Sequence, residues 1–250
     1  MPSRPSNSPS LTTEQHAAHR VPGVPNGRAT GTLVGILYIV GTLAGIGSRL
    51  LTNGSGPSGP DYLAEAAAMG NRLPAGALLV LLMGLALAVI PVVVFPILQA
   101  SSPRLALGYL IFRGALETTI AIVVATCWLT LSQLSAGQAL TADAAGARTT
   151  GTALAKLSEA IGTTPLPIVF LTGATIFYWA LFRARLVPRW LSVWGLVAVV
   201  PYLAYALAAP FGLDSATVQG LMDVPLGLQE MVLAGWLIAR GFATTQGAMT

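Results

Sequence analysis

RLALGYLIFRGALETTIAIVVATCWLTLSQL, residues 104–134, holds two charges after its first residue, Arg113 and Glu117. A helix needs about 20 apolar residues to cross a hydrocarbon core of roughly 30 Å. This run exceeds that length, so as a helix it must tilt or protrude. It also places a cation and an anion where water is scarce. Composition points the same way. Of 250 residues, 54% are hydrophobic and 9% are charged, whereas a soluble domain carries about 25% charged residues. A soluble core of this size does not hide so much apolar surface.

Five further runs qualify as spans, at roughly 30–51, 74–99, 165–183, 189–210 and 221–241. The expected fold is therefore all-α: a polytopic membrane bundle of six transmembrane helices. Pro74, Pro165 and Pro188 stand near the starts of runs, where a missing N–H costs least. Pro91, Pro96 and Pro201 lie inside runs and predict kinks. Two connections read as short extracytoplasmic helices. Residues 58–70 begin with Ser58, carry Asp61 and end at Gly70, a capped helix by pattern. Residues 150–162 put Leu154, Leu157 and Ile161 on one face, which predicts a short amphipathic helix on the membrane surface.

Residues 1–29 are rich in Pro, Ser, Gly and charge, and read as a disordered cytoplasmic tail. They lack the early apolar core of a cleaved signal peptide. The membrane domain is expected over 30–242, with a flexible tail at 243–250. Deleting the N-terminal tail while keeping a positive charge at Arg28 should leave insertion unchanged. Loss of folded protein in detergent after that deletion would show the tail to be structural.

Arginine placement sets the expected orientation. With the N-terminus inside, inner segments hold Arg4, Arg20, Arg28, Arg104, Arg183, Arg185, Arg189 and Arg240. Outer segments hold Arg49, Arg72, Arg148 and Lys156. Both termini are then cytoplasmic, and Trp179, Trp190, Trp194 and Trp236 form an aromatic belt on that side.

Several chemistries are excluded. Both histidines, His16 and His19, lie in the tail, and Cys127 is the single cysteine. No span therefore carries a Ser–His dyad, an HExxH site or a histidine haem ligand. No basic run interleaves with aromatics, so nucleic acid is not an expected partner. No catalytic residue, metal ligand or cofactor is assigned. The lipid bilayer is the expected partner; a small-molecule or lipid ligand and the oligomeric state stay unassigned.

Two features remain. Gly31, Gly35, Gly41 and Gly45 form two GxxxG pairs in the first span, a spacing that lets helix backbones approach. Intramolecular packing is the first reading, a dimer interface the second. The other feature is the charges. Arg113 and Glu117 are four apart and share a helix face. Glu230 lies in the sixth span. Arg113 sits nine residues from Arg104, roughly 13 Å deep, and Glu230 ten from Arg240, roughly 15 Å deep. The two meet if the third and sixth spans are neighbours. An unpaired charge at mid-bilayer costs about 2.5–3.5 kcal/mol or more, so an Arg113–Glu117–Glu230 cluster is expected. A structural ion cluster is the first reading; a coupling site in a polar cavity is the second. GALE (114–117) echoes GLQE (227–230), and AVIP (88–91) echoes AVVP (198–201). Such echoes suggest a three-plus-three inverted repeat, a transporter plan.

TGTLVGILYIVGTLAGIGSRL (30–50), FRGALE (112–117), LFRARLVPRWLSVWGL (181–196) and DVPLGLQEMVLAGWLIARGF (223–242) together carry a resemblance. Across about residues 30–242 the chain resembles the bacterial integral-membrane family catalogued as domain of unknown function 4386. The resemblance implies a multi-pass bacterial membrane protein and supplies no activity; the bacterial cytoplasmic membrane is the expected location. The expected role is a non-catalytic scaffold, sensor or accessory protein. A small transporter with an intramembrane Arg/Glu site comes second, and an intramembrane enzyme on lipid-like substrates third.

Overall fold

The computed structural model describes residues 27–54, 56–57, 61–137, 144–213 and 215–243. Among them six helices are long and apolar enough to cross a membrane. The first span is α1 (Gly27–Leu51) and the second is α3 (Arg72–Ser101). The third is Pro103–Gly137, made of α4 (Pro103–Tyr109), a π-helical segment (Leu110–Leu116) and α5 (Glu117–Gly137). The fourth is α7 (Pro165–Ala184), the fifth α8 (Arg189–Ala208) and the sixth α9 (Ala216–Arg240). α2 (Tyr62–Met69) joins the first two spans, and α6 (Ala144–Thr163) precedes the fourth. The protein is a multi-pass membrane protein, all-α among the described residues.

The spans form because every backbone amide must be paired inside its own helix when no water is near. Side-chain hydroxyls follow the same rule. Thr126, Thr172 and Thr175 each donate to the carbonyl four residues back, at 2.7 Å. Leu43, Leu50, Val92, Val197 and Val200 lie on the outside of the bundle, exposed, as a lipid-facing surface requires.

Each span packs against its neighbours in sequence, and the sixth returns to pack against the first. The six therefore close into a ring in chain order, with the third opposite the sixth. That order does not fit the inverted repeat that the echoes suggest. A two-fold axis in the membrane plane reverses the circular order of the helices it maps. Spans one to three and four to six run around this ring in the same sense. The shared GALE/GLQE and AVIP/AVVP letters are composition, not symmetry.

The glycines of the first span face two partners. A Cβ on Gly31 would meet Gly241 Cα at 2.6 Å, and one on Gly35 the Ala234 carbonyl at 2.6 Å. These two seat α1 against α9. Gly41 and Gly45 instead face Leu87 and Met83 of α3. Further along the α1–α3 seam, Ser48 donates to the Gly76 carbonyl at 2.9 Å. The four glycines lie at seams within one chain.

Some boundaries differ from the sequence reading. Gly27, Arg28 and Ala29 are helical rather than tail. The chain end holds them: Phe242 N–H donates to Gly27 O at 3.0 Å, and Gly241 lies against Arg28. Ala243, assigned to the C-terminal tail, donates to Leu186 O at 2.9 Å. Residues 1–26 and 244–250 lie outside the described residues. The sixth span starts at Ala216, not near 221, because the Tyr205 hydroxyl pins Ser215 through both its N–H and its carbonyl at 3.0 Å. The N-cap of α2 is Asp61, whose carboxylate accepts from Ala64 N–H at 3.2 Å. Ser58 lies outside the described residues.

The second connecting helix is neither short nor laid on the surface. α6 has 20 residues and is separated from α7 by Thr164 alone. It packs alongside α5 and α2. The 35 residues of the third span measure about 52 Å along the axis. The third span and α6–α7 thus form an antiparallel hairpin that protrudes from the end opposite Gly27 and Arg240. Gly151, Ala155 and Ser158 face inward, while Leu157 points out. Small residues form the inner stripe because α6 lies close against Leu63 of α2. A second core surrounds this end, built on Tyr62, Leu63, Trp128 and Leu131. At the other end Trp190 stacks on Trp194, and Arg240 lies over Trp236.

Candidate functional site

The ring centre carries the charges. Arg113 is 2% exposed and projects from the π-helical segment. Ten residues separate it from Pro103 and ten separate Glu230 from Arg240, so both lie about 15 Å from the same end. That is half the thickness of a hydrocarbon core.

The guanidinium fork divides its donors. Nη1 donates to both Glu117 oxygens, at 3.2 and 3.1 Å along its own helix. Nη2 donates to Glu230 Oε1 at 3.2 Å across the ring. Lysine has no planar fork with which to repeat this division. Two aromatic rings cover the cation: Phe170 of α7 at 4.7 Å and Tyr38 of α1 at 5.9 Å. One side chain thereby touches elements of the first, third, fourth and sixth spans.

The sequence reading made the meeting of Arg113 and Glu230 conditional on neighbouring spans. The third and sixth spans are not packed neighbours; they face each other across the ring. Two long side chains bridge the gap. What keeps the gap narrow is the small residues around it. Gly173 of α7 admits the Arg113 backbone, which would lie 3.3 Å from a Cβ there. Gly195 of α8 admits the Tyr178 ring, which would lie 2.6 Å from a Cβ.

Tyrosines complete the centre, and sequence reasoning had passed over them. Tyr38, Tyr109 and Tyr178 are buried, on the first, third and fourth spans. Tyr109 stacks on Phe177 with ring centroids 4.5 Å apart. All three lie within electrostatic reach of Arg113 and Glu230. The available signal was position: a tyrosine in mid-span lies away from the interfacial belts where that residue is enriched. The π-helix also escaped notice. Such segments occur often at functional sites, and this one shifts the helix register by one residue beside Arg113.

Not every polar atom is satisfied. Arg113 Nε and the Tyr178 hydroxyl are buried without a hydrogen-bond partner. The Tyr109 hydroxyl stands beside that of Tyr38 without a well-formed bond. Towards one end, Gln229 Nε2 donates to Leu191 O at 3.1 Å while its Oε1 and the Ser192 hydroxyl have no partner. Towards the other, Arg49 pairs with Asp223 at 3.0 Å. Two clefts, around Asp61–Arg148 and around Asn71–Ser135, are at the periphery and touch none of the central charges. The described residues contain no group of three or more His, Cys, Asp or Glu side chains placed to hold a metal ion.

The family model described as Domain of unknown function (DUF4386) matches residues 33–241. That range takes in nearly all of the six spans. No curated protein and no solved structure matches the chain.

Proposed function

The chain belongs to the DUF4386 family, and from the geometry of its centre we propose a non-catalytic scaffold, sensor or accessory protein of the bacterial cytoplasmic membrane. Its six spans are locked by Arg113, Glu117 and Glu230. The observation that carries this reading is the divided fork: one buried guanidinium holds a carboxylate of its own helix and a carboxylate of the opposite one. A tie across the ring opposes the rocking of one half against the other by which many transporters work. Among the described residues no metal-ligating set converges on the centre, and nothing observed there favours an enzyme on lipid-like substrates over either alternative.

The test replaces the whole cluster: Arg113→Met with Glu117→Leu and Glu230→Leu. Buried ionic clusters often give way to apolar side chains at little or no cost. A lock predicts that this triple variant inserts, folds and is more stable than Arg113→Leu alone. Proton or solute movement by the wild-type protein in liposomes, lost in a folded triple variant, would overturn the scaffold reading in favour of transport.

Both termini are proposed to be cytoplasmic. Reporter fusions at residue 250 and within 143–160 check this. The first should report cytoplasm and the second the outside. A cytoplasmic signal from the second would contradict the orientation.

A further inference from the structure

We propose that the ring centre is a proton-binding site: the cluster holds one exchangeable proton on Glu230, reached from the end of the bundle where Asp223 and Arg49 lie. This rests on reading the cluster as a lock and adds what the lock binds.

Charge balance is the first argument. Two carboxylates face one guanidinium about 15 Å deep. With both ionised the cluster carries a surplus negative charge, which hydrocarbon penalises heavily. Like charges sharing one site do not both stay ionised. A proton removes the surplus without breaking either contact to Arg113.

Geometry selects the carboxylate. Glu117 receives Arg113 Nη1 on both oxygens, along one helix. Glu230 receives Nη2 on Oε1. Its Oε2 is thus the oxygen free to carry hydrogen. The Tyr178 hydroxyl, fully buried and unpartnered, lies within electrostatic reach of this carboxyl, as does that of Tyr38. A protonated carboxyl offers such hydroxyls a donor, which a carboxylate does not.

The sixth span supplies the direction. Gln219, Asp223, Leu226 and Glu230 recur at four- and three-residue spacing, one stripe of the helix. Asp223 is partly exposed and paired with Arg49 of the first span, and Tyr202 of the fifth span adjoins it. Leu226, 1% exposed, separates this outer group from Glu230. On the other side Leu233 and Leu237 are sealed at 0% exposure. Leucine closes both flanks alike, and what distinguishes the Asp223 end is that it carries the next carboxylate of the stripe, itself partly exposed. The titratable and charged groups within reach of Glu230 are Tyr38 from the first span, Tyr109, Arg113 and Glu117 from the third, Tyr178 from the fourth and Asp223 of its own helix. Arg49 of the first span and Tyr202 of the fifth adjoin Asp223, beyond Leu226. The second span carries no titratable side chain between Leu73 and Ser101.

An apolar carbodiimide, dicyclohexylcarbodiimide, tests the site on the full chain in its membrane. The protonated carboxyl adds across one C=N bond, its oxygen to carbon and its proton to nitrogen, and the adduct rearranges to a stable N-acylurea. Peptide mass spectrometry locates it. The expected result is label on Glu230 and not Glu117, falling as pH rises, and slowed in Asp223→Asn. Label on Glu117, no label on either, or labelling of Glu230 that is independent of pH would overturn the proposal. Suppression by sodium ions at constant pH would also overturn it, by showing a metal cation in place of the proton. These outcomes are read on wild-type protein, so they do not depend on how any cluster variant folds. The stability of cluster variants tests the lock separately.

Discussion

Arg113→Leu is expected to destabilise the bundle by about 3–5 kcal/mol, the range for breaking a buried ion pair by removing one partner. Thermal or denaturant unfolding in detergent measures it. The size of the effect follows from what is left behind. Glu117 and Glu230 are both buried, and neither has a second cation among its observed ion pairs. Each must then stay charged at high cost or become neutral. Phe170 and Tyr38 also lose the cation they cover. Arg113→Lys should fall between wild type and Arg113→Leu, because an ammonium keeps the charge but not the fork. Glu230→Gln should cost about 1 kcal/mol, since a neutral Arg113–Glu117 pair remains and the amide oxygen still accepts. Equal losses for Arg113→Lys and Arg113→Leu would show that the fork does not matter.

Gly35→Leu is the second large effect, expected to cost about 1–3 kcal/mol at least, as overpacking does. A Cβ at residue 35 meets the Ala234 carbonyl at 2.6 Å and Ile238 Cγ1 at 2.7 Å. Backbone does not move aside as a side-chain tip does. Because α1 and α9 close the ring, forcing them apart opens the bundle beside Glu230. Gly31→Leu should behave alike, its nearest atom being Gly241 Cα. Gly45→Ala is the control on the same helix. Its Cβ meets Met83 Sδ at 2.9 Å, the flexible tip of a thioether, and the loss should be small. Comparable losses at 35 and 45 would mean that the α1–α9 seam is not what closes the ring.

The six spans were legible because a spanning helix must be apolar for about 20 residues whatever it packs against. Their ends were less so. Gly27 joins the first helix because Gly241 and Phe242 dock on it, a contact no local pattern announces. The spacing of Arg113 and Glu117, and the depth of Glu230, could be counted from the sequence. Ring order could not, since lipid-facing and core-facing apolar residues look alike. Depth alone therefore leaves the third and sixth spans as possible neighbours, whereas they stand opposite. α6 misled for a related reason. Its fully buried stripe is Gly151, Ala155 and Ser158, with Leu154 and Ile161 half-buried beside it and Leu157 exposed, so a reading that follows large apolar residues misses the small ones at the centre of the face. The π segment leaves no compositional trace at all; its residues, Leu110–Leu116, read as ordinary helix.

The most direct measurement of the lock is a double-mutant cycle between Arg113 and Glu230. Unfolding free energies are compared for wild type, Arg113→Leu, Glu230→Gln and the double variant in one detergent. The fork across the ring predicts that the double variant is more stable than Arg113→Leu alone, measured at a pH high enough to take the proton from Glu230, because the second substitution then removes a carboxylate that the first left without its cation. Losses that simply add would contradict it.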